Sequence, residues 1–371
     1  MYTRDHLSDT NEERNLAGMT MNTSTGETAH PPLFSAEVGQ DAQLDTSVIT
    51  LVYAPAAPED RLEVAIAPHY GSNMFRLKAG SHDVIFCDPA LLSRRLWTGA
   101  FVLWPLPNRV RDKKFEFQGR EYSLAAVHRK QGNEVLIHGL VDDQPWSFEQ
   151  PVAERDSASA TTHIAIVPGT SMYELFPFKS SLTLRYTVME RAIRVGYTVV
   201  NNDTRDMPYG FALHPYFATL SGSDHTYITL PARSMMESDK QLLPTGRLID
   251  VRDSTNDLRL PTPVSKIHLD AVFTDLEHGQ PGVVDSRTHG IRVDLRASDD
   301  FTHMVLYTLE QGFVCFENQT GSTDMINLYT RAKKEHDEDL LRAAHLLILP
   351  PGQTHAGYIE YGVEHYAPPA S

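Results

Sequence analysis

Cysteine is scarce in this chain of 371 residues, which contains only Cys87 and Cys315. Two cysteines are too few for the disulfide framework that holds many small secreted domains together. No apolar run approaches the roughly 18 residues that a membrane-spanning helix requires, and residues 1–30 contain no apolar segment of signal-peptide length. We therefore expect a cytoplasmic protein without a membrane partner, in which residues 1–30 form a disordered leader.

Basic residues are fewer than acidic ones. The chain has 33 lysines and arginines against 48 aspartates and glutamates, and its formal net charge is −15. A protein that binds nucleic acid or an anionic membrane needs a basic surface, so neither partner is expected. The chain contains no His-Glu-x-x-His, Cys-x-x-Cys, Gly-x-Ser-x-Gly or P-loop motif. These absences argue against the common zinc, serine-hydrolase and nucleotide-binding sites.

Helical periodicity is rare, and short runs with alternating polarity dominate from about residue 48. Alternation with a period of two places one face of a strand on a core and the other toward water. It predicts hairpins at residues 114–124, with a Gln118-Gly119 turn, and at 181–201, with a Glu190-Arg191 turn. Further strands are predicted at residues 48–53, 61–66, 82–87, 227–230, 291–295, 304–309, 313–316, 345–349 and 356–361.

Only residues 331–344 resemble a helix, and their many charges suggest a surface insertion at 331–342. Without a linker or internal repeat, the pattern predicts an all-β fold. We expect a large antiparallel β-sandwich that spans residues 31–371 as a single domain.

One histidine is the most informative candidate for chemistry. His214 follows the apolar run Met207-Pro-Tyr-Gly-Phe-Ala-Leu and precedes Pro215. Proline lacks the N–H of a sheet ladder, so we expect His214 where a strand leaves its sheet, with Tyr216 and Phe217 as an apolar wall. Such a histidine is either a proton-transfer residue beside a sugar or a filler of a strand end.

Three further segments carry polar groups at the ends of apolar runs. Trp104-Pro-Leu-Pro-Asn-Arg109 presents an amide and a guanidinium on stiff backbone, which suits hydroxyl recognition. His138 ends a strand before a glycine, where a ligand can approach closely. Glu317 ends the run Phe313-Val-Cys-Phe, and a partly desolvated carboxylate has a raised pKa and is a competent base. Each also has a structural interpretation, as a surface arginine, a buried histidine or a salt-bridged glutamate.

The order of these segments resembles the aldose 1-epimerase (galactose mutarotase-like) family over roughly residues 48–363. The resemblance implies a β-supersandwich with a sugar cleft, and it implies neither a metal nor an organic cofactor. By matching position, Glu317 is expected to be the general base and His214 the general acid, with His138 assisting. Arg109 is expected to hold sugar hydroxyls, with Asn108 and Trp104 beside it and Asp270 as a looser match.

The expected activity is interconversion of the α and β anomers of a hexose, with a small sugar as the partner. One alternative is a hexose-6-phosphate 1-epimerase, for which Arg94, Arg95 or Arg111 are candidate phosphate ligands. Another is a sandwich that binds carbohydrate without turnover. The sequence favours no particular sugar and no particular oligomeric state.

Overall fold

The computed structural model of the protein describes residues 33–126, 135–252 and 254–368. The predicted leader at 1–30 lies outside these residues, so it stays a prediction. No helix among the described residues is long and apolar enough to cross a membrane. The expected cytoplasmic location also stays a prediction.

Strands make up most of the regular structure, and the predicted β-rich fold is confirmed. In the first half of the described residues the strands are β1 Phe34–Asp41, β2 Thr46–Tyr53, β3 Leu62–Ala67, β4 Asn73–Ala79, β5 His82–Asp83, β6 Ala100–Leu103, β7 Arg109–Val110, β8 Lys114–Phe117, β9 Arg120–Ser123, β10 Leu136–Ile137, β11 Ser147–Phe148, β12 Val152–Ala153, β13 Ala158–Ile166 and β14 Ser180–Met189. In the second half they are β15 Ala192–Asn201, β16 Met207–Tyr209, β17 Ala212–Ala218, β18 Thr226–Thr229, β19 Ala232–Ser238, β20 Pro244–Asp250, β21 Thr262–Pro263, β22 Asp270–Leu276, β23 Gly282–Ser286, β24 Ile291–Ala297, β25 His303–Tyr307, β26 Phe313–Gln319, β27 Leu347–Leu349 and β28 Thr354–His365. The helices are α1 Pro89–Ser93, α2 Ser171–Leu175, α3 Met325–Glu335 and α4 Glu338–Ala344.

Two large antiparallel sheets form the body of the sandwich. A seven-stranded sheet has the order β20-β19-β22-β25-β26-β17-β6, and a ten-stranded sheet contains β11–β15, β18, β21, β23, β24 and β28. A five-stranded sheet of β1–β5 joins them. The ring of Phe217 on β17 lies edge-on against Tyr361 on β28, with 5.5 Å between the centroids. The two large sheets therefore pack face to face, which leaves the other face of the seven-stranded sheet for a site.

The predicted hairpins are present with the predicted turns. Strands β14 and β15 pair from Ser180 with Asn201 to Met189 with Ala192. Along β14 the core-facing residues Leu182, Leu184 and Tyr186 are fully buried, as the alternation requires. The shorter hairpin of β8 and β9 turns at Gln118 and Gly119, which both have positive φ.

Other predictions about local structure are wrong. The strand predicted at 82–87 is reduced to His82–Asp83. The predicted helix at 331–344 is two helices, because His336 adopts a left-handed φ of 57° at the end of α3. The Asp337 carboxylate then accepts a hydrogen bond from the Leu340 N–H at 2.9 Å and caps α4.

These two helices are exposed at residues 333–339, as the predicted surface segment requires, but they also pack on the sheet. They bury Leu328, Ala332 and Leu340 in one cluster with Met236 of β19. The charged side chains of the segment lie on the outer faces. Because they outnumber the apolar residues, the sequence pattern did not reveal the apolar stripe that packs on the seven-stranded sheet.

Candidate active site

The strand register brings His214 and Glu317 together. His214 lies on β17 and Glu317 on β26, which are adjacent in the seven-stranded sheet. The pairing of Tyr216 with Cys315 fixes a register that places His214 directly across from Glu317. Residues opposite each other in an antiparallel pair point to the same face, so both side chains lie on the face turned away from the sandwich core.

The predicted position of both residues at strand ends is wrong, because β17 continues to Ala218 and β26 to Gln319. The pairing between β17 and β26 is interrupted around Pro215 and resumes one residue later. The missing N–H of the proline therefore opens the ladder locally without ending the strand.

His214 and Glu317 form a buried pair in direct contact. His214 Nε2 lies 3.2 Å from Glu317 Oε1, and the side chains are 9% and 2% exposed. Burial, helped by Arg109, lowers the pKa of His214 to about 3. Burial and then the charge of Asp270 raise the pKa of Glu317 well above its usual value, against the influence of Arg109.

Both shifts favour the neutral imidazole and the protonated carboxyl, and the 3.2 Å between Nε2 and Oε1 is short enough for that proton to pass between the two groups. Burial thus disfavours the pair of an imidazolium with a carboxylate. The other carboxylate oxygen, Glu317 Oε2, is buried without a hydrogen-bond partner among the described residues. It is therefore available to accept a hydrogen bond from a ligand hydroxyl.

A second set of polar side chains is centred on Arg109, at the start of β7. Its Nη2 donates to Asp270 Oδ2 at 3.3 Å and its Nη1 donates to Asn108 Oδ1 at 3.2 Å. Asn108 is in the left-handed region with φ 59°. The predicted residues Asn108, Arg109 and Asp270 thus lie together, with donors and acceptors at fixed positions.

His138 is held beside His214 by a tight turn after β10. His138 and Gly139 both have positive φ, 69° and 74°, and the His138 N–H donates to Asn108 O at 2.8 Å. A Cβ at Gly139 would lie 2.5 Å from the carbonyl oxygen of Trp104, so only glycine fits there. The rings of His138 and His214 meet edge to face at 4.8 Å.

These groups line one cleft with a volume of about 370 Å³, which is within the usual range of roughly 300–1,000 Å³ for small-molecule sites. Its other lining residues are largely aromatic or aliphatic, namely Phe86, Leu91, Leu96, Trp97, Thr98, Ile137, Tyr216, Val305, Tyr307, Glu310, Phe313 and Cys315. Apolar walls with a few convergent polar groups suit a molecule with an apolar ring face and several hydroxyls. No group of three or more His, Cys, Asp or Glu side chains in the described ranges could hold a metal ion.

Comparison with known proteins assigns this arrangement to a family. Residues 59–361 match the family described as aldose 1-epimerase. The chain belongs to the aldose 1-epimerase family. The resemblance inferred from the sequence is therefore confirmed, over nearly the expected span.

Relatives of this aldose 1-epimerase family member are distant. The uncharacterized protein YihR of Escherichia coli K12 is 28% identical over 146 residues, which cover 39% of this chain and 44% of YihR. The chromosomal protein LacX of Lactococcus lactis is 25% identical over 240 residues, which cover 61% of this chain and 75% of LacX. The chain thus spans under half the length of YihR.

Solved structures share the fold at still lower identity. A galactose mutarotase-like protein from Clostridium acetobutylicum superposes with a TM-score of 0.76 at 17% identity, covering 90% of this chain and 99% of that one. Galactose 1-epimerase from Lactobacillus acidophilus gives a TM-score of 0.70 at 15% identity, covering 90% and 100%. The predicted galactose mutarotase-like sandwich is thereby confirmed.

Trp104 is the one predicted site residue that this epimerase-family chain does not bring to the cleft. Its side chain is fully buried in the main core, and it is absent from the lining. The predicted contact between Trp104 and a sugar is therefore wrong for its side chain. Its carbonyl oxygen instead packs against the turn at Gly139. Trp97 lines the cleft instead, edge-on to His138 at 4.6 Å.

Several lining residues had no distinctive sequence signal. Tyr216 was expected in an apolar wall and does line the cleft, whereas Phe217 points into the core. Tyr307 and Glu310 were missed because they belong to an ordinary strand end and turn. Only the register places Tyr307 between Asp270 and Cys315 across the sheet.

Proposed function

We propose that the protein is an aldose 1-epimerase that interconverts the α and β anomers of a hexose. The observation that supports this most strongly is the 3.2 Å contact between His214 and Glu317 on the floor of a polar and aromatic cleft. Ring opening requires a base at the C1 hydroxyl and an acid at the ring oxygen. Since both oxygens are bonded to the same carbon, two adjacent side chains can serve them at once.

The reaction uses the proton that the pair already holds. With that proton on His214, the Glu317 carboxylate takes the proton of the C1 hydroxyl while the imidazolium protonates the ring oxygen. The bond between C1 and the ring oxygen breaks, and C1 becomes an aldehyde. Rotation about C1–C2 and the reverse transfers close the ring on the other face.

Burial has a defined role in this cycle. Ring opening leaves Glu317 protonated and His214 neutral, and these are the forms that the raised and lowered pKa values favour. The ion pair that starts ring opening is therefore the disfavoured arrangement of the shared proton, and ring opening returns both groups to their favoured neutral forms. Each positioned acid or base typically contributes about 10²–10⁴-fold to such a reaction.

The remaining polar groups are suited to orienting the sugar. Arg109, Asn108 and Asp270 offer donors and acceptors for neighbouring hydroxyls, and His138 lies beside the acid. The aromatic rings of Trp97 and Tyr216 provide flat surfaces for the apolar face of a pyranose.

The alternative of a hexose-6-phosphate 1-epimerase receives no support from the predicted cations. Arg94, Arg95 and Arg111 do not line the cleft. Arg95 donates to the carbonyl oxygen of Asp143 at 2.7 Å, and Arg111 pairs with Asp239 at 2.9 Å.

Anomer-resolved NMR of freshly dissolved aldoses, free and phosphorylated, tests the proposal. Addition of the protein should accelerate equilibration of at least one free hexose. Saturable sugar binding in calorimetry without acceleration for any sugar would instead indicate a carbohydrate-binding module and would contradict the proposal.

A further inference from the structure

The charges that line the cleft nearly cancel, with one exception. Arg109 is paired with Asp270 at 3.3 Å, so those two charges offset each other. Burial favours the neutral forms of both His214 and Glu317, so that pair adds no net charge. Among the described lining residues, the carboxylate of Glu310 is the one charge left without an opposite partner in the cleft.

Glu310 lies on the turn between β25 and β26, at the rim of the cleft. The hydroxyl of Tyr307 donates to Glu310 Oε1 at 3.1 Å. Burial, and then the charge of Glu310, raise the pKa of Tyr307 to about 12, so the tyrosine remains a donor at neutral pH. This contact ties the exposed carboxylate to a tyrosine that also lines the cleft.

We propose that Glu310 is a specificity-determining residue that makes the cleft select uncharged sugars over sugar phosphates and uronic acids. The inference rests on the proposed function, and it assigns the substrate class of that site. Glu310 lines the same cleft as Glu317 from the turn before β26, where its charge can repel an anionic substituent of a bound sugar.

The range of this repulsion depends on salt in a predictable way. The Debye length is about 30 Å at 0.01 M ionic strength and about 3 Å at 1 M. The repulsion between a carboxylate and a phosphate roughly 10 Å apart is therefore only weakly screened at low salt and almost fully screened at high salt. A purely structural role for Glu310 would not produce this dependence.

The test compares glucose 6-phosphate with glucose as substrates of the full chain. The measured quantity is the ratio of their kcat/KM values at low and at high ionic strength. Glu310→Gln should raise this ratio about three- to tenfold at 0.01 M and leave it nearly unchanged at 1 M. Glu310→Lys should raise the ratio further.

Two control variants separate charge from other effects. Tyr307→Phe removes the hydrogen bond to Glu310 without removing a charge, so it should change the ratio less than Glu310→Gln does. Glu154→Gln removes an exposed carboxylate that does not line the cleft, and it should leave the ratio at the wild-type value.

The inference is overturned if wild-type protein prefers glucose 6-phosphate, or if Glu310→Gln and Glu310→Lys both keep the wild-type ratio at low salt. A wild-type protein without activity on any aldose refutes the proposed function and not this inference. In that case the ratio of dissociation constants for the two sugars, measured by calorimetry with the same variants, decides whether Glu310 discriminates by charge.

Discussion

Replacement of Glu317 by glutamine isolates its role as a base. The amide has nearly the shape of the carboxylate and can still hydrogen-bond His214 Nε2 across the 3.2 Å gap. It cannot accept a proton from the C1 hydroxyl. The variant also removes a buried carboxyl group whose pKa is raised, so the fold loses no favourable charge.

The expected loss follows from the single function removed. General base catalysis typically contributes about 10²–10⁴-fold, or about 2.7–5.4 kcal/mol of transition-state stabilisation at about 1.36 kcal/mol per tenfold. Glu317→Gln should lose that factor in kcat/KM while its Tm at pH 7 is not lowered. A raised folded-state pKa makes the wild-type carboxyl a burden on stability once pH rises above the unfolded value, and glutamine removes this burden.

Polarimetry of fresh α-glucose and α-galactose measures the activity, and thermal unfolding measures the stability. Glu154→Gln is the matched control, because it makes the same chemical change away from the cleft. Wild-type rates from Glu317→Gln would refute its assignment as the base. A loss of activity accompanied by a large fall in Tm would show that Glu317 has a structural role instead.

Three further changes test other parts of the site. The pH profile of kcat/KM should be bell-shaped, with the acid limb far below pH 6.5, because a second proton binds the pair only near the lowered pKa of His214, about 3. Its alkaline limb should reflect loss of the shared proton at the raised pKa of Glu317, and an acid limb near pH 6.5 would show that burial does not control the pair. Gly139→Ala should destabilise the folded state by about 1–3 kcal/mol of backbone strain, in addition to the clash with Trp104 O. Both activity and Tm should therefore fall, and wild-type values in both assays would contradict the tight turn. Arg109→Lys keeps the charge but loses the planar fork, so KM should rise about tenfold or more, and an unchanged KM would remove Arg109 from sugar binding.

The sequence was sufficient for the fold because its signal is local. Alternation along residues 181–201 predicts both strands and their core face directly. The break at His336 was not predictable from charge, because the apolar residues that define α3 and α4 are spaced among many charged ones. The position of the helices against Met236 is a tertiary contact, which no local pattern encodes.

For the site, the sequence identified polar residues at the margins of apolar runs but not their arrangement. It named Glu317 and His214, yet only the register between β17 and β26 places them opposite each other. Trp104 was selected because it begins the segment that ends in Asn108 and Arg109, but its side chain lies in the core. Glu310 carried no signal at all, since an acidic residue in a turn is ordinary.

We propose that the buried pair of His214 and Glu317 exchanges the anomers of a free hexose. Two-dimensional exchange NMR of glucose and galactose at anomeric equilibrium tests it most directly, because it detects interconversion without any net reaction. Wild-type protein should give exchange peaks between the α and β C1 protons, and Glu317→Gln should give none. Equal exchange with both proteins, or none with wild type while the sugar binds, would contradict it.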